Sequence, residues 1–112
     1  MKEVKCVKEC ISKAKADFES DGEELFGVGT VRRDGKCVYR VTYNNTGFDL
    51  AHYGTLILTL DKPYRYNTPL IGSGTYSRTD CNAINTALLW VGVEDKYEVH
   101  IKDGRMVLWT WI

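Results

Sequence analysis

Four cysteines and two histidines are the side chains in this 112-residue chain best suited to covalent or metal chemistry. Cys6 and Cys10 are one helical turn apart, so both thiols could reach one metal ion. A structural zinc site needs four ligands, however, and no Cys-x-x-Cys pair supplies the missing ones. Cys37 and Cys81 stand alone in the sequence. The spacing therefore favours thiols packed as small apolar side chains, with no metal and no cofactor.

A cysteine-dependent enzyme is the alternative that these residues leave open. Cys81 lies where a helix is predicted to begin, and the free N–H groups of a helix start stabilise a thiolate. His52 would serve as its base, and His100 is the other histidine of the sequence. Nothing in the spacing requires Cys81 and His52 to meet, so we expect no catalytic residue and a protein that is not an enzyme.

Aromatic and cationic side chains are interleaved in two places, which is typical of a binding surface. Such residues are enriched where proteins bind their partners, and they also stack the bases of single-stranded nucleic acid. The alternative for the two C-terminal tryptophans is burial beneath an N-terminal helix that lies across them. The predicted partner-binding residues are Tyr64, Arg65, Tyr66, Tyr76, Arg78, Trp109 and Trp111.

The charge balance limits the kind of partner. Lysine and arginine together number 15, as do aspartate and glutamate, so the formal net charge is +0. A protein dedicated to duplex nucleic acid usually carries a basic excess. The charged N-terminus does not resemble a signal peptide, and no apolar run is long enough to cross a membrane. We therefore expect no membrane partner and a cytoplasmic location, where thiols stay reduced.

Two helices are predicted from apolar spacing and capping residues. Residues 1–20 carry apolar side chains at alternating spacings of three and four, the period of a helix with one buried face. A second helix is predicted to begin at Ser77 and Asp80, which resemble a capping box, and to end before Gly92. These helices must cover the sheet formed by the rest of the chain.

Two Asp-Gly pairs predict tight hairpins, since a type I′ turn needs the positive φ that Asp and Gly tolerate. A turn at Asp34-Gly35 would place Val31 opposite Val38. A turn at Asp103-Gly104 would place Val99 opposite Leu108. In the first hairpin, the predicted core face consists of Phe26, Val28, Cys37, Tyr39, Val41 and Tyr43.

Two further strands are predicted between the hairpins. Residues 51–60 alternate in polarity as a single strand, with Leu56, Leu58 and Leu60 on one face. Residues 64–71 suit a short edge strand, because Pro69 cannot donate to a central ladder. The order of elements predicts an α+β fold. It consists of a mostly antiparallel sheet of about five to six strands, an N-terminal helix and a second helix before the C-terminal hairpin, in a single domain over residues 1–112.

Three short motifs occur together in residues 48–112: His52-Tyr53-Gly54-Thr55, Tyr76-Ser77-Arg78-Thr79-Asp80 and Ala83-Ile84-Asn85. Followed by the C-terminal hairpin, they resemble a small domain common in phages and prophages. The signature of that domain is a YGT-type strand, a YSxTD-type helix start and a final hairpin. It has no assigned function, and it brings no catalytic residues to this chain.

The resemblance implies a biological setting. It implies a small viral or mobile-element accessory protein that works in the cytoplasm of a bacterial host. Proteins of that kind often bind a host enzyme. We therefore expect a monomer or homodimer that binds a host protein or ribonucleoprotein and inhibits, for instance, a defence nuclease in the manner of an anti-CRISPR protein. Binding of single-stranded nucleic acid is the alternative.

Overall fold

The computed structural model, which describes residues 3–20, 25–72 and 77–111, has the α+β fold that the sequence predicts. An antiparallel sheet of five strands runs in the order β1-β2-β3-β4-β5, and β6 and β7 form a separate hairpin. The helices are α1 (Lys5–Ser20) and α2 (Arg78–Trp90). The strands are β1 (Gly27–Arg33), β2 (Lys36–Asn44), β3 (Gly47–His52), β4 (Thr55–Asp61), β5 (Leu70–Ile71), β6 (Tyr97–Lys102) and β7 (Arg105–Thr110).

The second helix lies at the centre of the molecule. Six consecutive residues, Ala83 to Leu88, are buried, so α2 is enclosed on nearly all sides. It packs against α1, β4 and β6, and it therefore joins the five-stranded sheet to the C-terminal hairpin. Its predicted start is confirmed, because the Ser77 hydroxyl accepts a 3.0 Å hydrogen bond from the Asp80 backbone N–H. Neither described helix is long and apolar enough to cross a membrane.

The first helix packs directly on the first hairpin. Val7, Ile11 and Ala14 form its buried face, which confirms the predicted amphipathic pattern. Close contact is possible because Gly27 and Gly29 of β1 lack side chains. A Cβ atom built on Gly29 would lie 2.6 Å from the backbone nitrogen of Ala14 and closer still to the Cys10 carbonyl oxygen. The backbone of α1 therefore occupies the space that side chains at positions 27 and 29 would need.

The predicted register of the first hairpin is correct only next to its turn. A β-bulge between Val31 and Arg32 shifts the pairing by one residue, so Val31 pairs with Tyr39 and not with Val38. Since side chains alternate between faces, the shift also exchanges the two faces of β1. Phe26 and Val28, which were expected in the core, are exposed and partly exposed, whereas the glycines face α1.

The predicted single strand over residues 51–60 is wrong, because the chain reverses within it. Tyr53 and Gly54 have φ values of 49° and 80°, as a tight turn requires, and they connect β3 to β4. A second register shift lies between Leu50 and Ala51. As a result Leu56 is exposed, although Leu58 and Leu60 are buried as predicted. The predicted edge strand exists, but only over Leu70–Ile71.

The C-terminal hairpin has the predicted register, with Val99 opposite Leu108 and Ile101 opposite Met106. One buried amide fastens it to α2. The Asn85 side chain donates to the Val99 carbonyl oxygen at 3.0 Å and accepts from the Val99 N–H at 2.8 Å. Because Asn85 is only 6% exposed, both bonds are shielded from water, and they set the position of β6 on α2.

Candidate partner-binding surface

The two faces of the C-terminal hairpin have opposite character. Tyr97 and Val99 point toward α2 and are buried, whereas the alternate positions point away from it. On that outer face Trp109 and Trp111 are 48% and 45% exposed, with ring centroids 6.4 Å apart. The alternative that the N-terminal helix buries them is wrong, because α1 packs on β1, β2 and α2.

A third aromatic side chain extends this surface. Tyr66, which is 83% exposed, lines an open depression of about 590 Å³ together with Arg65, Asp95, Lys96 and Trp111. The backbone N–H of Trp111 donates to the Lys96 carbonyl oxygen at 2.8 Å, which holds the end of the hairpin beside the depression. We call the exposed side chains of Tyr66, Trp109 and Trp111 the aromatic face.

The cations that border the aromatic face already have partners. Arg65 makes a two-point ion pair with Asp95, with nitrogen–oxygen distances of 2.9 and 3.1 Å. This hydrogen bonding raises the pKa of the Arg65 guanidinium and lowers the pKa of the Asp95 carboxyl. The Lys96 ammonium donates to the Arg65 carbonyl oxygen and lies 5.9 Å from the centre of the Tyr66 ring. Both cations of the border are thus engaged by neighbouring groups, Arg65 by a carboxylate and Lys96 by a backbone carbonyl.

One histidine packs beside Trp109 on the outer face of the hairpin. The ring centroid of His100 is 4.5 Å from that of Trp109, and its Nε2 atom is 3.4 Å from a carboxylate oxygen of Glu98. That nitrogen is covered by neighbouring atoms and makes no well-aligned hydrogen bond within the described part of the chain. His100 therefore packs beside the Trp109 ring with its Nε2 atom covered, while the rest of its side chain stays partly exposed.

The remaining predicted residues lie elsewhere. Tyr64 is partly buried and packs edge-on against Phe48 at 6.0 Å, so it belongs to the core, and burial raises the pKa of its phenol. Arg78 is the exposed first residue of α2 and does not line the depression. Tyr76 lies outside the described residues. The sequence pattern also places Lys96 near the two tryptophans, as the structure has it, whereas sequence reasoning missed Asp95.

Burial disfavours the thiolate form of two of the four cysteines. Cys10 is fully buried and donates to the Gly29 carbonyl oxygen at 2.9 Å, and burial raises the pKa of its thiol to about 12. Burial also raises the pKa of Cys81, whose thiol donates to the Val99 carbonyl oxygen at 3.3 Å. No three His, Cys, Asp or Glu side chains come together as a metal site would require, as far as the described ranges extend.

The proposed base for Cys81 has a different partner. The Nδ1 atom of His52 lies 2.7 Å from a carboxylate oxygen of Asp80, the residue that precedes Cys81. Successive residues on a helix point about 100° apart, so Asp80 faces the β3–β4 turn while Cys81 faces β6. The sequence identified Asp80 only as a helix-capping residue, and the pairing with His52 was missed. A Cys81–His52 nucleophile and base are therefore not assembled.

Compared with known protein families, curated proteins and solved structures, the chain shows no significant match. The arrangement of its own residues is thus the basis for any functional proposal. It brings Arg65, Tyr66, Trp109 and Trp111 of the predicted set onto one surface.

Proposed function

We propose that this chain is a small accessory protein of a phage or mobile element that binds a host protein in the bacterial cytoplasm and acts by covering part of that protein's surface. One observation carries the proposal. Trp109 and Trp111 lie side by side and half exposed on the hairpin face that points away from α2. The phage setting, and a defence nuclease as the partner to test first, rest on the resemblance of residues 48–112.

The aromatic face has the composition of a binding hot spot. Trp and Tyr contribute large contact areas with few rotatable bonds, and they dominate the energetics of many interfaces. Exposure of two neighbouring tryptophans to water is unfavourable unless a partner removes them from it. The face therefore suits a partner with an apolar pocket or groove.

The hairpin that carries the face is held rigidly from behind. Tyr97 and Val99 pack into the core, and Asn85 binds the backbone of Val99 at both its N–H and its carbonyl group. A surface that is already in position loses less conformational entropy on binding. This support favours a recognition role that needs no reaction and no catalytic residue.

The charges around the face favour a protein over a nucleic acid. Nucleic acid affinity comes chiefly from cations that contact phosphates. Here Arg65 is engaged by Asp95, Lys96 by the Arg65 backbone, and Glu98 adds a negative charge beside the rings. A partner with mixed charges around an apolar centre fits this border better than a polyanion does.

The test is affinity capture from a bacterial host lysate with a matched set of variants. We expect the wild-type protein to retain one stoichiometric host protein, and the Trp109→Ala/Trp111→Ala variant to lose it. The control is Leu56→Ala, which removes a side chain of similar exposure (47%) from the five-stranded sheet. Capture of nothing by the wild type, or equal capture by the double variant, would contradict the proposal.

Two further measurements separate the alternatives. Fluorescence anisotropy with a labelled oligothymidylate at low salt tests single-stranded nucleic acid, and tight binding abolished by Trp109→Ala would replace the proposal. Sedimentation of the purified protein tests whether the aromatic face contacts a second copy of the chain. A stable dimer that dissociates in the Trp109→Ala variant would also count against a host partner.

A further inference from the structure

A separate cavity of about 380 Å³ lies where the start of α1, the first hairpin, the β3–β4 turn and the start of α2 meet. Its volume is within the range of small-molecule sites. Three valines supply apolar wall, and the remaining lining includes Arg33, Tyr39, His52, Tyr53 and Thr79. None of these residues belongs to the aromatic face. The cavity is therefore independent of the proposed host-protein surface.

A stack of three rings forms one part of the cavity wall. The ring of His52 lies 4.6 Å from that of Tyr39, with 13° between their planes, and 4.7 Å from that of Tyr53. The hydrogen bond between His52 and Asp80 holds the imidazole in place, and both side chains are at most 14% exposed. Tyr53 is exposed at the outer end of the stack. An aromatic ligand can thus extend an existing stack.

Arg33 provides a positive charge at the same cavity. Its side chain is exposed, and it makes no ion pair with a carboxylate of the described residues. The carboxylate of Asp80, which lies next to the ring stack, is engaged by His52. An unneutralised guanidinium beside apolar and aromatic walls favours a ligand that combines a flat ring with an anionic group, since guanidinium binds carboxylate or phosphate at two points.

We propose that this cavity binds a small aromatic anion, with the ring against the Tyr53 end of the stack and the anionic group at Arg33. Two kinds of ligand share this chemistry: an aromatic carboxylate and a nucleoside monophosphate. The wall is built from four separate elements of the fold, and its inner rings, Tyr39 and His52, are already held in place without a ligand.

The test is a titration of ¹⁵N-labelled protein followed by two-dimensional NMR. Indole-3-acetate is the probe, and indole-3-acetamide and acetate are its neutral and ring-free controls. We expect indole-3-acetate to shift the backbone amides of Arg33, Tyr53 and Thr79, and the two controls to bind at least about tenfold more weakly. Equal binding of the neutral amide would contradict the proposal.

Variants locate the interaction within the cavity. Arg33→Gln should weaken indole-3-acetate binding by about tenfold, the effect of losing a charge-assisted contact. Arg32→Gln is the matched control, because Arg32 is an exposed neighbour that does not line the cavity. Tyr53→Asn removes the outer ring and keeps a residue that tolerates positive φ, and it should also weaken binding. Equal binding by Arg33→Gln and Arg32→Gln would overturn the proposal.

Adenosine monophosphate and adenosine form the second pair of probes. Stronger binding of the monophosphate than of indole-3-acetate, with loss in Arg33→Gln, would assign a nucleotide as the ligand. The reverse order would assign an aromatic carboxylate. Absence of amide shifts with both indole-3-acetate and the monophosphate would overturn the site altogether, and it would leave the host-protein proposal untouched because the aromatic face lies elsewhere.

Discussion

Two hairpins of the molecule have the same Asp-Gly turn sequence but differ in strand register. Asp34-Gly35 and Asp103-Gly104 have nearly identical φ values, 52° and 76° in the first and 52° and 72° in the second. The second hairpin keeps the register that its turn sets along its whole length. The first departs from it after two residue pairs, at the bulge between Val31 and Arg32.

The packing partner explains the difference. In the first hairpin, α1 approaches so closely that β1 has no room for a side chain at Gly27 or Gly29. In the second, α2 holds β6 from one side through Asn85, and the other side is free to carry Trp109 and Trp111. Local turn chemistry determines where a hairpin reverses, whereas the helix packed against it determines which face carries the large side chains.

The largest expected effect tests the close contact of the first hairpin. Gly29→Ala places a methyl group against the α1 backbone, so we expect it to lower the free energy of unfolding by about 3 kcal/mol. Urea unfolding measures the change. Thr30→Ala, on the other face of the same strand, is the control. A loss no greater than that of the control would show that α1 can move away without cost.

The next effect tests how the second hairpin is held. Asn85→Ala leaves the Val99 N–H buried without a partner and leaves the Val99 carbonyl oxygen with only the weak Cys81 thiol donor, which should lower the free energy of unfolding by about 2 kcal/mol. Hydrogen exchange at the Val99 amide should accelerate as well. Asn82→Ala, one turn earlier on α2 and without side-chain hydrogen bonds in the described contacts, should change stability by less than about 0.5 kcal/mol.

The smallest effect separates the binding surface from the core. Trp109→Ala should lower the free energy of unfolding by about 1 kcal/mol or less, because half of the side chain already contacts water. Leu88→Ala, a smaller truncation within α2, should lower it by about 3 kcal/mol. If thermal unfolding showed the tryptophan to be the more important of the two, the aromatic face would be part of the fold and the binding proposal would lose its basis.

Local signals predicted much of this fold. The helix periods, the cap at Ser77 and both Asp-Gly turns depend on neighbouring residues, and they appear where they were expected. The turn at Tyr53-Gly54 was missed because a tyrosine rarely adopts positive φ, and alternation in polarity continues through it. The bulges and the close approach at Gly29 depend on contacts distant in sequence, which periodicity does not report.

The candidate sites divide in the same way. Trp109 and Trp111 were identified from two local signals. Their residue type suits a binding surface, and alternation along a strand places them on one face. The pair of Arg65 with Asp95 and the pair of His52 with Asp80 were missed, because each contact joins separate elements. Residue type indicates what a side chain is able to do, and the tertiary fold decides with which partner it does so.

Asn85 has a consequence for self-association. Since the N–H and carbonyl groups of Val99 both bind its amide, they point away from β7, along the outer border of the hairpin. The Asn85 amide occupies the position that the backbone of an added strand would take. A strand from another molecule therefore cannot pair with the middle of β6 at Val99. An Asn85 variant should therefore be less soluble as well as less stable, and it should form aggregates that increase with protein concentration.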